Sequence, residues 1–286
     1  MLEMLINPKE AEKGPWKMFF IGLVYASLSL LLVHWFFSAD AVLSKFSGIL
    51  VVTFCVMFSL PFMYFLIKRE EKEDEEIKNF WDIIRFHSDA MYSFMWLFLG
   101  FIVAFSFWYI LLQNSLLFNA QIETYCMINN PGTSIDSCFN HYSFENSQAL
   151  TGAATKGARF FSILENNVYV MIFTLLFSLI FGAGAIFILA WNASVIAGAI
   201  GIFTRYQIKE IPLGILRYMV HGLPEIAAYF STALAGGILG VGLIRNGIKS
   251  PKFSKVLKSA FALAFISLLI LIFAALLEVY FTPMLF

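Results

Sequence analysis

Apolar residues in this chain fall into long runs separated by short polar joints, and run length decides what they are. A helix needs about 20 apolar residues to cross a bilayer. Runs of that kind cover Met18–Phe37, Ser47–Ile67 with Pro61 inside, Met91–Leu112, Val168–Ala190, Ile226–Ile244 and Val256–Tyr280. A further run, Ala193–Phe203, is short and rich in Gly and Ala. At 1.5 Å per residue it rises ~17 Å, about half a bilayer core. The pattern predicts an all-α, polytopic transmembrane helical bundle of about seven spans with a short or broken fifth span. Residues 191–219 can cross as a tilted helix, re-enter as a half-helix, or share the crossing between two half-helices.

The joints differ in character. Lys68–Lys78 is a solvated charge run, and the stretch after it, with Phe80, Trp81, Ile84 and Met91, reads as an amphipathic interfacial segment. The largest polar segment, about residues 114–161, holds Cys126 and Cys138 twelve residues apart. Two cysteines in one loop predict a disulfide if that loop faces an oxidising compartment. Lys249–Lys258 is basic and acid-free. Two regions are expected: an N-terminal two-span region with its amphipathic segment (1–90), and a five-span core (91–286) carrying the cysteine loop.

Composition supports the membrane assignment and sets an orientation. Hydrophobic residues make up 60% of the 286 and charged residues 13%, where a soluble domain carries about a quarter charged. The mean hydropathy is +0.79, and Phe alone supplies 33 residues. Net charge is zero, so no basic surface points to nucleic acid. The partner expected first is the lipid bilayer. Lys and Arg favour cytoplasmic loops. Thirteen of them lie in the joints on the N-terminal side of the first span and six on the opposite side. This predicts a multi-pass cell-membrane protein with a cytoplasmic N-terminus, and with the C-terminus and residues 114–161 outside.

Chemistry is confined to few positions. Ionisable residues at membrane depth are costly and often functional. His221 and Glu225 are four residues apart, on one face of a helix; Pro224 is expected near the start of that helix. With Glu278, Asn166, Asn167 and Arg205 they are expected to gather near the outer leaflet as a buried polar cluster. Asn192 is expected at the turn that opens the fifth span. A structural network is one reading, with Glu225 paired to Arg205 and His221 to Glu278. Ion or proton handling is a second. A divalent metal held by His221, Glu225 and Glu278 is a third, since imidazole and carboxylate suit such ions. No nucleophile with a neighbouring base, phosphate loop, HExxH or CxxC is present. Small residues recur in the last third, and Gly236 to Gly240 is a GxxxG step of the kind that lets helix backbones approach closely.

The stretch ENNVYVMIFTLLFSLIFGAGAIFILAWNASVIAGAIGIF followed by HGLPEIAAYFSTALAGGILG resembles the stage II sporulation protein M family of integral membrane proteins. Asn166–Asn167 opening a span, Asn192, and His221-Gly222-x-Pro224-Glu225 carry the resemblance, which covers roughly residues 160–281. It implies a five-span core whose first span is the third span here, and it implies that these residues matter to that core. Sporulating members work with cell-wall hydrolases during engulfment. Three functions follow as expectations. The first is a scaffold that organises other membrane or envelope proteins, or copies of itself, without catalysis or cofactor. The second is a transporter or channel for a small ion or solute using the His/Glu cluster. The third is an intramembrane metal-dependent hydrolase.

Overall fold

A computed structural model describes residues 14–74, 80–129, 137–138, 156–181, 185–204 and 207–285. Among these, seven helices are long and apolar enough to cross a membrane. The expected all-α transmembrane bundle is therefore the observed architecture.

The first helix, α1 (Lys17–Phe36), buries Met18, Ile21, Tyr25, Ser29 and Val33 along one face. It is followed by α2 (Ser47–Asp74), which carries Pro61, and by α3 (Phe80–Leu112). The α1–α3 crossing is set by two single glycines. A Cβ at Gly22 would strike the Leu97 carbonyl oxygen, and one at Gly100 would strike the Phe19 carbonyl oxygen. The backbones therefore touch, and the Trp108 indole adds a bond, donating to Ser27 Oγ at 2.8 Å. The small-residue pattern legible in the sequence lies in the last third of the chain and does not include this pair. One small residue on each of two distant spans makes no local pattern.

The short helix α4 (Asn119–Asn129) follows a 3-10 turn and lies against α2 and α6 (Ala185–Phe203). Buried Gln121 ties these elements together: its amide donates to the Gly48 carbonyl at 2.9 Å and to Ser194 Oγ at 3.1 Å. Asn119 Nδ2 donates to the Lys45 carbonyl at 2.6 Å. Cys126, on α4, is disulfide-bonded to Cys138, as the loop spacing predicts.

The fourth span belongs to α5 (Lys156–Phe181) and the fifth to α6. Here the sequence-based boundaries are corrected. The fifth span is not an eleven-residue fragment: it runs over Ile186–Phe203, 18 residues, or ~27 Å of rise. The fourth-span helix is described to Phe181 and the fifth from Ala185, with residues 182–184 outside the described residues. Trp191 and Asn192 are internal to α6 and form no turn. The Asn192 amide donates to the Ile188 carbonyl at 2.7 Å, one turn back on its own helix. An Asn that bonds its own helix in this way does not end it.

The bundle is organised around α7 (Ile211–Asn246), a continuous 36-residue helix. It is ~54 Å long, against a bilayer core of about 30 Å. The apolar stretch of α7 is 78% buried, against 17% in α5. It packs on α2, α3, α5, α6 and α8 (Pro251–Leu276), and Phe230 stacks on Phe94 of α3 at 4.9 Å. Pro212, not Pro224, occupies the first turn of α7; Pro224 is inside the helix. Having no N–H, it leaves the Val220 carbonyl without the usual backbone donor. Gly236 and Gly240 are consumed inside the chain. A Cβ on Gly240 would strike the Leu179 carbonyl oxygen of α5, and one on Gly236 would lie 2.5 Å from the Leu175 carbonyl oxygen.

A four-residue turn joins α7 to α8. Gly247 adopts φ 72°, a backbone conformation open to glycine, and Ser250 caps α8 by accepting the Lys252 N–H at 3.2 Å. The last span ends in a π turn, Leu277–Phe281, and a short helix, α9 (Thr282–Leu285). One continuous core holds buried residues of α1 to α4 and α6 to α8, so the N-terminal spans pack within the same bundle as the rest.

Candidate functional site

The polar face of α7 is laid down by helical spacing. Tyr218, His221, Gly222, Glu225 and Tyr229 follow three- and four-residue steps, so they share one side of the helix. Gly222 is buried; a Cβ there would lie 3.3 Å from Met219 Cε on the same helix and in ordinary contact with Ile196 of α6 at 4.0 Å. The Tyr218 ring meets the His221 imidazole edge-on at 6.2 Å. Tyr229 donates its hydroxyl to Glu225 Oε1 at 2.8 Å, a short bond to a carboxyl within one helix.

Opposite this face stands the π turn at the end of the last span. A π turn contains one more residue per hydrogen-bonded ring than an α-turn, so side chains after it are rotated out of α-helical register. Thr282 closes the turn by donating to the Leu277 carbonyl at 3.1 Å, five residues back. The same hydroxyl lies 3.3 Å from His221 Nδ1, with donor and acceptor set by the imidazole tautomer. Glu278, inside the π turn, has Oε1 4.0 Å from Arg159 Nη2 of α5. Arg159 is half exposed and Glu278 largely covered, at 51% and 23%. Three elements are therefore tied by polar side chains: α7, the π turn with Thr282, and the first turn of α5.

His221 and Glu225 share one face of α7, and Thr282, four residues after Glu278, meets His221. The partners of these two α7 residues differ from those expected: His221 meets Thr282, not Glu278, and Glu225 meets Tyr229. The pairing expected with Arg205 falls on a residue outside the described residues. Asn167 is buried and Asn166 exposed, and their side chains meet each other at 3.4 Å. Asn192 bonds its own helix. Tyr229 was within reach of sequence reasoning, being four residues after Glu225. Thr282 and Arg159 were not, because the first depends on the π turn and the second on how α5 docks.

Among the described residues no group of three or more His, Cys, Asp or Glu side chains is placed to hold a metal ion. Two recesses lie away from His221, Glu225 and Glu278. One, about 220 Å³, is lined by Phe203, Thr204, Gln207, Glu210 and Leu213. The other, about 380 Å³, is lined by Phe161, Leu164, Glu165, Val168 and Tyr169 along α5.

Residues 98–283, well over half of the chain, match the family described as Stage II sporulation protein M. The chain belongs to the stage II sporulation protein M family. The match begins within α3 and leaves α1 and α2 outside it, and it ends just beyond Thr282. It takes in every member of the polar cluster. Nothing among curated proteins or solved structures matches the chain.

Proposed function

We propose that this protein is a non-catalytic integral membrane scaffold that organises other membrane or envelope proteins. One observation carries the reading. The polar side chains of the family core bond to one another across α5, α7 and the π turn, and neither of the two recesses described above is lined by them. A conduit or catalytic site needs such groups turned toward a cavity. Here they act as ties that fix the relative position of three helices, and no cofactor takes part.

A scaffold also needs a face to present, and α5 supplies one. Phe161, Tyr169, Ile172, Phe173, Leu176 and Ile180 are all exposed along it. The family's association with envelope enzymes supports the same reading by resemblance. In this proposal the N-terminus is cytoplasmic, and the C-terminus and residues 114–161 are outside, as the Lys/Arg distribution favours.

The test is photocrosslinking in native membranes. A photoreactive residue at Phe173 is expected to give a discrete protein adduct. The same residue at Phe273 on α8, also exposed, is the lipid-facing control. Lipid adducts alone at both positions would refute the scaffold. Proteoliposome flux that depends on Glu225 would refute it in favour of transport. Labelling a cysteine placed at Phe286 from outside the cell tests the orientation.

A further inference from the structure

We propose that the α7–α8 corner is a binding surface for acidic phospholipid headgroups in the leaflet it meets. Arg245, Lys249, Lys252, Lys255 and Lys258 fall within a short stretch around the turn, and no Asp or Glu occurs between Glu225 and Glu278. Arg245, Lys249, Lys252, Lys255 and Lys258 are exposed. Gly247 at positive φ turns the chain at the corner, and the Ser250 cap starts α8 there. Basic clusters at the end of a span attract anionic lipid, each charge contributing about 1 kcal/mol near the surface.

Charge alone would not choose a lipid over any other anion; the continuation of the same helix face does. At 100° per residue, Lys255 and Lys258 share an arc of about 120° with Phe261, Phe265, Leu269 and Phe273. Those four apolar side chains are 70%, 59%, 51% and 55% exposed. Cations at the helix end therefore lead directly into an apolar strip that runs down the span. That is the order in which a phospholipid presents its phosphate and its acyl chains. Ile244 and Ile248, 87% and 74% exposed, border the basic corner on the α7 side. A soluble anion would have no use for the strip. The surface is separate from the polar cluster at the other end of α7 and does not depend on how that cluster is read.

The experiment uses the full chain in phosphatidylcholine vesicles containing trace spin-labelled lipid. Electron spin resonance then reads the motionally restricted fraction at the protein. Spin-labelled phosphatidylglycerol is expected to be enriched over spin-labelled phosphatidylcholine. Lys252→Gln/Lys255→Gln/Lys258→Gln should reduce that preference by roughly tenfold or more. The preference should also fall as salt is raised in the wild-type protein, which needs no variant. Lys156→Gln/Lys209→Gln, exposed positions at the far end of the bundle, should leave it unchanged. Equal association of the two lipids with the wild type, or a preference that survives the triple substitution, overturns the proposal. So does a preference seen only after neutralising the acidic run between Lys68 and Lys78, which would make that run the natural partner of the corner.

Discussion

Gly240→Ala should weaken the docking of α5 onto α7, and the cost can be bounded from the atoms the new methyl meets. At Gly240 the added carbon collides with the Leu179 carbonyl oxygen, and the Leu179 C and Cα atoms lie behind it at 3.2 and 3.4 Å. All three are backbone, so no side-chain rotation relieves the contact and the helices must part. Overpacking of this kind costs ~1–3 kcal/mol. Alanine's better helix propensity returns up to ~1 kcal/mol. The net expectation is a loss of ~1–2 kcal/mol in equilibrium unfolding in mixed micelles. Gly198→Ala is the internal control, because its methyl would meet only Gln121 Cβ at 3.8 Å, an ordinary contact. It should be neutral or more stable by up to ~1 kcal/mol. Gly242→Ala, facing the Val256 methyls at 3.1 and 3.5 Å, should fall between the two. Gly236→Ala combined with Gly240→Ala should cost less than the sum of the singles, since one separation of α5 accommodates both methyls. A Gly240→Ala protein as stable as Gly198→Ala would refute the α5–α7 crossing and the polar ties that depend on it.

Three other outcomes follow from single contacts. Tyr229→Phe and Glu225→Leu should show a coupling of ~1–2 kcal/mol in a double-mutant cycle of unfolding, because they remove the donor and the acceptor of one bond; additive losses would mean the bond contributes nothing. Reductant should lower the melting temperature of the wild type, where the Cys126–Cys138 bridge closes a twelve-residue separation, at a cost of ~2–4 kcal/mol; Cys126→Ser/Cys138→Ser should melt at one temperature with or without reductant. Asp40 Oδ1 accepts the Val42 and Leu43 N–H groups, each at 2.8 Å, and these bonds hold its carboxyl below the usual carboxylate range. Because the folded value is the lower one, its stabilisation is present above the ordinary Asp value of 3.8 and lost as pH falls through the folded value; Asp40→Ala should thus lower the melting temperature at pH 6 and have no effect in strong acid, and a difference that grows on acidification would contradict this sign.

Sequence was informative about this fold where lipid imposes the rule. A span must satisfy its own backbone, so an apolar run of sufficient length has one available structure, and the full-length runs were read as spans for that reason. The error at Trp191–Asn192 came from treating a polar residue as punctuation. Its amide reaches a carbonyl one turn back, and nothing in local composition distinguishes that from a cap. At the site, His221 and Glu225 were legible through their four-residue spacing, and Tyr229 extends the same step. Thr282 was hidden because the π turn before it alters register by a residue, and no residue type requires a π turn. Gly22 and Gly100 were hidden differently: each is isolated in its own span, and only the tertiary crossing makes them a pair.

The placement of the ties bears on why the family motif joins residues so far apart in the chain. Lipid provides no hydrophobic drive between helices once they are inserted, so what fixes their mutual position is close packing and polar contact. Close packing holds α5 to α7 at Gly236 and Gly240, toward one end of the bundle. At the other end α5 is held to the π turn by Arg159 to Glu278, a 4.0 Å contact with a half-exposed guanidinium that by itself contributes little, and by Lys156 Nζ over the Tyr280 ring at 5.9 Å. The π turn strengthens that end indirectly, because Thr282 engages His221 on α7 while Glu278 engages α5. Loss of the His221 contact should therefore release the start of α5 while leaving the glycine crossing intact. In His221→Ala, hydrogen exchange is expected to rise at backbone amides near Arg159 and to stay unchanged near Leu179. Equal protection at both ends would mean that the π turn does not transmit between α7 and α5.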